Sequence, residues 1–210
     1  PLGPRLTPNS MQKSAMRELA LLRETGSERA LAVAATGTGK TLMAAFDVQQ
    51  VQPKKMLFLV HRGIILEKAM ESFARVVNIP KNKMGLLTGN KKSYDADYLF
   101  ATIQTMKNEF RSYRPDEFEY IVEDEAHHAT SPSYQKVLDH FNPKFLLGMT
   151  ATPERSDNGN VFDLFDNNLA VDIRLRQALE ENLLVPFHYY GITDQTGVDL
   201  SDERLTPDQI

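Results

Sequence analysis

The sequence predicts an α/β protein: a mostly parallel sheet with helices on both of its faces. Short apolar runs recur without polar alternation, the pattern of strands buried on both sides. Stretches with apolar residues at helical spacing fall between several of these runs, which is the order of a doubly wound sheet. The unusual polar residues come directly after the apolar runs, and such sheets bind ligands beyond the carboxyl ends of their strands.

In chain order, the first helix is predicted over Ser10 to Arg23, with Met11, Ala15, Leu19 and Leu22 at helical spacing. Asn9 or Ser10 would cap it and Gly26 would stop it. Strands are predicted at Ala30 to Ala34, Met56 to Val60, Leu86 to Leu87, Leu99 to Thr102, Tyr120 to Val122 and Phe145 to Met149. Helices are predicted between them at Thr41 to Gln50, Ile64 to Val77 and Ser133 to Phe141. A further helix, Leu175 to Asn182, and a strand, Phe187 to Ile192, follow. From Thr193 onward the chain is acidic and poor in apolar residues, like a connection rather than a finished fold.

The 210 residues are 41% hydrophobic and 25% charged, an ordinary globular balance that argues against disorder. Cysteine is absent, which excludes disulfides and Cys-ligated zinc and fits a reducing cytoplasm. No apolar run approaches the roughly 20 residues that cross a bilayer, so no membrane is expected as a partner. Pro1 to Pro8 lacks the apolar core of a signal peptide and reads as a linker or tag remnant. Net charge is −4, so any nucleic-acid surface must be local. The candidate basic pairs are His61-Arg62, Lys81 with Lys83, Lys91-Lys92, and Arg111 with Arg114.

The strand Ala30 to Ala34 runs into Ala35-Thr36-Gly37-Thr38-Gly39-Lys40-Thr41, and a helix follows. This is the setting of a phosphate loop. Glycines let the backbone curl so that several N–H groups point at one anion, and the new helix adds its positive end. Thr36, Gly37, Thr38 and Gly39 would cradle the phosphates, and Lys40 would reach the outer two. The Thr41 hydroxyl would ligate Mg²⁺. The general pattern begins with Gly, and Ala34 stands there instead.

Tyr120-Ile121-Val122 ends in Glu123-Asp124-Glu125-Ala126-His127-His128. A carboxylate at a strand tip beside a phosphate loop suits Mg²⁺, and Asp124 is the candidate, partly through water. Glu125 is the candidate general base for the water that attacks the γ-phosphate. Glu123 is unexpected in a buried strand and points either to solvent or to a partner. His127 and His128 are adjacent, a spacing that does not aim both at one zinc ion.

Asp124-Glu125-Ala126-His127 after a strand, with the phosphate loop upstream, resembles the DEAD/DEAH-box superfamily 2 helicases. Ala34, Gly37, Gly39, Lys40 and Thr41 match that family's loop, and Thr150-Ala151-Thr152-Pro153 matches its third motif. Within it the chain is most similar to bacterial helicases of the type III restriction-subunit kind. That likeness rests on Phe58-Leu59-Val60-His61-Arg62, Ala101-Thr102-Ile103-Gln104-Thr105-Met106 and Phe187-His188-Tyr189-Tyr190-Gly191-Ile192.

The resemblance implies a RecA-like P-loop NTPase fold: residues 9–185 as a first ATP-binding motor domain, and residues 186–210 leading to a second RecA-like domain. It implies an ATP hydrolase that uses ATP and Mg²⁺, with Lys40, Asp124 and Glu125 catalytic and Gln12 reading adenine. His127, Thr150 and Thr152 would couple hydrolysis to movement. His61, Arg62, Gly89, Thr102, Gln104 and Thr105 would hold a nucleic-acid backbone. DNA is expected from the restriction-subunit likeness, with RNA as the alternative. A second domain supplies the arginine finger, worth about 10³–10⁵ in rate, so this chain alone should bind nucleotide and hydrolyse it poorly. Two other readings are a small-molecule kinase, against which Thr150-Ala151-Thr152 speaks, and a nucleotide-gated binding module without turnover.

Overall fold

In the computed structural model, residues 5–34, 39–152 and 161–172 are described. They form a sheet of seven strands: β1 (Arg29–Val33), β2 (Met56–Val60), β3 (Met84–Leu87), β4 (Tyr98–Thr102), β5 (Tyr120–Asp124), β6 (Phe145–Thr150) and β7 (Leu169–Asp172). The order across the sheet is β3-β4-β2-β5-β6-β1-β7, and every pairing between these strands is parallel. The helices are α1 (Ser10–Glu24), α2 (Lys40–Val51), α3 (Leu66–Ala74), α4 (Ile103–Glu109), α5 (Pro132–Leu138) and α6 (Val161–Leu164).

The strands alternate as a pleat requires, but both sides are apolar because both are covered. Ala30 and Ala32, Met56 and Phe58, and Tyr120 and Val122 face one core with Ala15 and Leu19 of α1, Phe46 of α2 and Phe73 of α3. Leu31 and Val33, Leu57 and Leu59, and Ile121 face a second core with Met106 of α4 and Tyr134 of α5. The predicted α/β class is therefore correct, and the missing polar alternation has a plain cause.

Asn9 caps α1 in a reciprocal capping box: its side chain accepts from the Gln12 N–H at 2.8 Å, and its own N–H donates to Gln12 Oε1 at 3.0 Å. The helix stops as expected at Gly26, whose N–H donates to the Arg23 carbonyl. The predicted helix from Ile64 to Val77 is shorter than expected. A 3-10 turn, Gly63–Ile65, precedes α3, and the helix ends at Ala74, while Val76 and Val77 are buried outside it. Three elements were not foreseen: α4, α6 and β7. All are short, and β7 lies at the sheet edge with Leu169 45% exposed, so periodicity had little to act on. The expected helix Leu175 to Asn182 and strand Phe187 to Ile192 lie outside the described residues.

One polar anchor ties the helical layer to the sheet. Asp47 sits on the buried face of α2 and accepts two hydrogen bonds from the Arg23 guanidinium at 2.7 and 2.8 Å, and another from the Tyr120 hydroxyl. Arg23 also lies over the Phe145 ring at 4.8 Å. A lone acid among apolar residues in Met43-Ala44-Ala45-Phe46-Asp47-Val48 was the available signal.

Candidate functional site

The sheet order puts β6 between β1 and β5, so the ends of these three strands meet. The register pairs Ala32 with Met149 and Met149 with Asp124, and it pairs Val33 with Thr150. The end of β1, where the Ala34 N–H donates to the Thr150 carbonyl, and the end of β5 at Asp124 thus flank the end of β6. Thr36, Gly37 and Thr38 lie outside the described residues, as does Pro153.

Gly39 is in the left-handed region, with φ 77°, and begins α2. A Cβ there would come within 2.8 Å of Gln12 Nε2, so glycine is needed both for the turn and for the close approach. Gln12 is 5% exposed and its Nε2 donates to the Gly39 carbonyl at 3.3 Å. The amide therefore lies against the end of the loop, and it also has the capping role described above. After these contacts it keeps one N–H and one lone pair.

Lys40 and Asp124 are almost fully buried and paired at 2.8 Å, and Lys40 also reaches Glu125 at 3.4 Å. Glu125 adopts a left-handed conformation, φ 60° and ψ 45°, which is strained for a side chain of this size. Its N–H donates to Asp124 Oδ1 at 3.0 Å. A cavity of about 260 Å³ opens here, lined by Lys40, Thr41, Ile65, Lys68, Asp124 and Glu125. The Asp124 carboxylate and the Thr41 hydroxyl line this cavity and are oxygen donors of the kind Mg²⁺ takes, and Lys40 now supplies the positive charge that Asp124 and Glu125 face. The residues present fit a Mg²⁺-nucleotide.

His127 Nδ1 lies 3.1 Å from Thr150 Oγ1 and 3.4 Å from Glu125 Oε2. The Thr150 hydroxyl also accepts the Thr152 N–H at 3.2 Å. Sequence-predicted Thr150, Thr152 and His127 therefore form one connected group next to Glu125.

The residues expected to touch nucleic acid fall into two neighbouring places. Thr88, Gly89, Thr102, Gln104 and Thr105 line one cleft of about 440 Å³. Thr102 caps α4: it accepts the Thr105 N–H and donates to Thr105 Oγ1 at 2.9 Å. Lys92, in the same cleft, is paired with Glu109 at 2.7 Å. His61 and Arg62 line a different cavity of about 430 Å³ with Ile64, Ile65, Glu125 and His128. Ile64 is 86% exposed there.

Glu123 faces neither solvent nor, among the described residues, a hydrogen-bond partner. It is fully buried, and neither carboxylate oxygen has a hydrogen-bond partner among the described residues. Burial, then the charge of Asp124, pushes its carboxyl well above the usual range. Sequence reasoning also missed His128 and Tyr134. The ring of His128 lies on that of His61, and Tyr134 is bonded to His61 at 3.3 Å. Contact between residues this far apart in sequence left no local signal.

Among the described residues, no helix is long and apolar enough to cross a membrane.

Comparison with known proteins agrees with this geometry. Residues 5–155 match the family described as type III restriction enzyme, res subunit. The chain is 26% identical, over 97% of its length, to the type I restriction enzyme EcoAI endonuclease subunit of Escherichia coli, and it spans 26% of that relative. The crystal structure of the Pyrococcus furiosus Hef helicase domain superposes with a TM-score of 0.61 at 25% identity, over 73% of this chain and 36% of that one. The Sulfolobus solfataricus SWI2/SNF2 ATPase core, solved in complex with dsDNA, shares the fold with a TM-score of 0.62 at 20% identity, over 79% of this chain and 36% of that one. The sheet is thus that of a RecA-like helicase domain, and the chain belongs to the type III restriction enzyme res-subunit family.

Proposed function

We propose that residues 9–185 are the first motor domain of a cytoplasmic, ATP-dependent DNA helicase or translocase, and that residues 186–210 lead toward a second RecA-like domain of a longer chain. The observation that carries this is the convergence of Lys40, Asp124 and Glu125 with the His127–Thr150 contact at three adjacent strand ends. The curated relative's greater length is consistent with further domains.

In this reading Thr36, Gly37, Thr38 and Gly39 cradle the phosphates, and Lys40 leaves the two carboxylates to neutralise the β- and γ-phosphates. Thr41 and Asp124 hold Mg²⁺, Asp124 partly through water; when bound, the ion neutralises charge developing on the phosphate oxygens. Gln12 uses its remaining N–H and lone pair on the adenine edge. Glu125 accepts a proton from the attacking water. The water oxygen bonds to the γ-phosphorus, the bond to the bridging oxygen breaks, and ADP leaves. His127, Thr150 and Thr152 change partners as the γ-phosphate departs. His61, Arg62, Gly89, Thr102, Gln104 and Thr105 hold backbone phosphates without reading bases, so DNA is bound without sequence preference and RNA is the alternative.

The test is calorimetric titration with a non-hydrolysable ATP analogue and Mg²⁺. The chain is expected to bind saturably, and Lys40→Ala to lose at least about tenfold in affinity, since charge-assisted phosphate contacts are the strong ones. Equal binding by both proteins would refute the assignment.

A further inference from the structure

The second histidine of the turn after β5 has no task in the reaction above, yet it is the best-placed ring between the two candidate binding regions. His128 lies on His61 with centroids 4.3 Å apart and planes 22° apart. It also packs against His127, with centroids 4.1 Å apart and planes tilted by 42°. Tyr134, 2% exposed and part of the second core, lies nearly parallel to both His61 and His128 at 6.2 and 6.4 Å. The Tyr134 hydroxyl and His61 Nδ1 share a hydrogen bond. The rings therefore form one packed group that joins the turn after β5 to the loop after β2, 67 residues earlier by the numbering of His128 and His61.

The placement is specific. His127 touches the groups that would sense the γ-phosphate, Glu125 and Thr150. His61 stands next to Arg62 in the loop that would meet a nucleic-acid backbone. His128 is the ring that touches both histidines. Tyr134 is buried in the second core and hydrogen-bonded to His61, so it ties this ring group to the packed interior. Burial, then the nearby rings of His127 and His61, lowers the basicity of His128, which suits a neutral ring in a stack beside Arg62.

We propose that His128 is a positioning residue, whose ring transmits the nucleotide state of the Glu125–His127 turn to the His61–Arg62 loop and so sets that loop's grip on nucleic-acid phosphates. This rests on the nucleotide site proposed above. Coupling of this kind appears as a change at one end that depends on the ring in the middle.

The experiment uses the chain with isotope-labelled histidines, titrated with Mg²⁺ and a non-hydrolysable ATP analogue while the His61 ring resonances are followed. Affinity for an oligothymidine strand is measured with and without the analogue. In the unaltered chain the His61 signals are expected to move on nucleotide binding, and the strand affinity to change by about 5-fold or more, the usual lower range of such coupling. In His128→Ala the nucleotide affinity is expected to stay within about 2-fold, while the His61 response and the affinity change are lost. In His128→Phe, which keeps a flat ring, both are expected to return. Nucleotide binding with an equal His61 response in His128→Ala overturns the proposal alone. So does a folded His128→Phe that behaves like the alanine variant. Absence of nucleotide binding in the unaltered chain overturns the site assignment and this proposal with it.

Discussion

Asp47 and Glu123 are both carboxyl groups without solvent exposure, and the protein treats them in opposite ways. Asp47 receives hydrogen bonds from Arg23 and Tyr120. Glu123 receives none among the described residues. Tyr120 begins strand β5 and Glu123 stands one residue before its end, and by the strand's alternation they face opposite layers. At the start of the strand, far from the cleft, a buried charge is fully matched and ties α1, α2 and the sheet together. At its end, next to Asp124, a buried acid is left unmatched and becomes hard to ionise. The Asp47 anchor is thus satisfied, while the strand beside the candidate catalytic acids tolerates an unfavourable buried group.

The comparison is tested most strongly at Asp47. Asp47→Ala leaves the Arg23 guanidinium without its partner and is expected to cost about 3–5 kcal/mol, read as a drop in the urea midpoint. Replacing both ends of the pair, Arg23→Met with Asp47→Leu, is expected to recover most of that loss, because the desolvation of both charges disappears together. A double variant no more stable than Asp47→Ala would mean that the pair is worth more than its desolvation.

Glu123 should respond with the opposite sign. Glu123→Met removes an acid without a hydrogen-bond partner among the described residues and keeps the volume, so the melting temperature at neutral pH is expected to rise, by the equivalent of about 1–3 kcal/mol. A fall would show that the carboxyl has a partner that matters. The neighbouring residue gives a steric check. Gly148 is paired with Glu123 in the sheet, and a Cβ there would clash with the Phe165 ring. Gly148→Ala is expected to lose about 1–3 kcal/mol by overpacking, and Phe165→Leu in that background to restore part of it.

The two regions also differed in how legible they were. The acidic turn and the stretch before α2 could be read because phosphate chemistry demands fixed residue types at fixed spacing directly after a strand. Lys40, Thr41, Asp124 and Glu125 were found that way, and the structure brings all four to one cavity. The strand order could not be read, since nothing local says that β6 lies between β1 and β5. The same holds for Arg23–Asp47–Tyr120 and for His61–His128–Tyr134. Each joins residues far apart in sequence, Asp47 to Tyr120 and His61 to His128 and Tyr134, and each member looks like an ordinary polar or aromatic residue until the fold brings them together. The end of α3 at Ala74 shows the reverse error: Val76 and Val77 keep the apolar pattern, but they are buried after the helix has stopped.

The smallest expected effect is a pH dependence at the functional end. Burial, with the rings of His127 and His61 and the charge of Arg62, holds His128 below the usual imidazole range, while Glu125 acts the other way. Its folded value is thus below its unfolded one, near 6.5, so the unfolded chain binds more protons in this window. The contribution to stability is fully present above about pH 6.5 and is lost as pH falls through the folded value. His128→Phe cannot take up that proton. Urea midpoints at pH 7.5 and pH 5.5 should therefore fall less in the variant than in the unaltered chain, with the two proteins closest in their pH dependence above neutrality. An identical acid slope in both would mean that His128 is as easily protonated folded as unfolded, and the ring stack would then be a looser arrangement than the 4.3 Å separation from His61 implies.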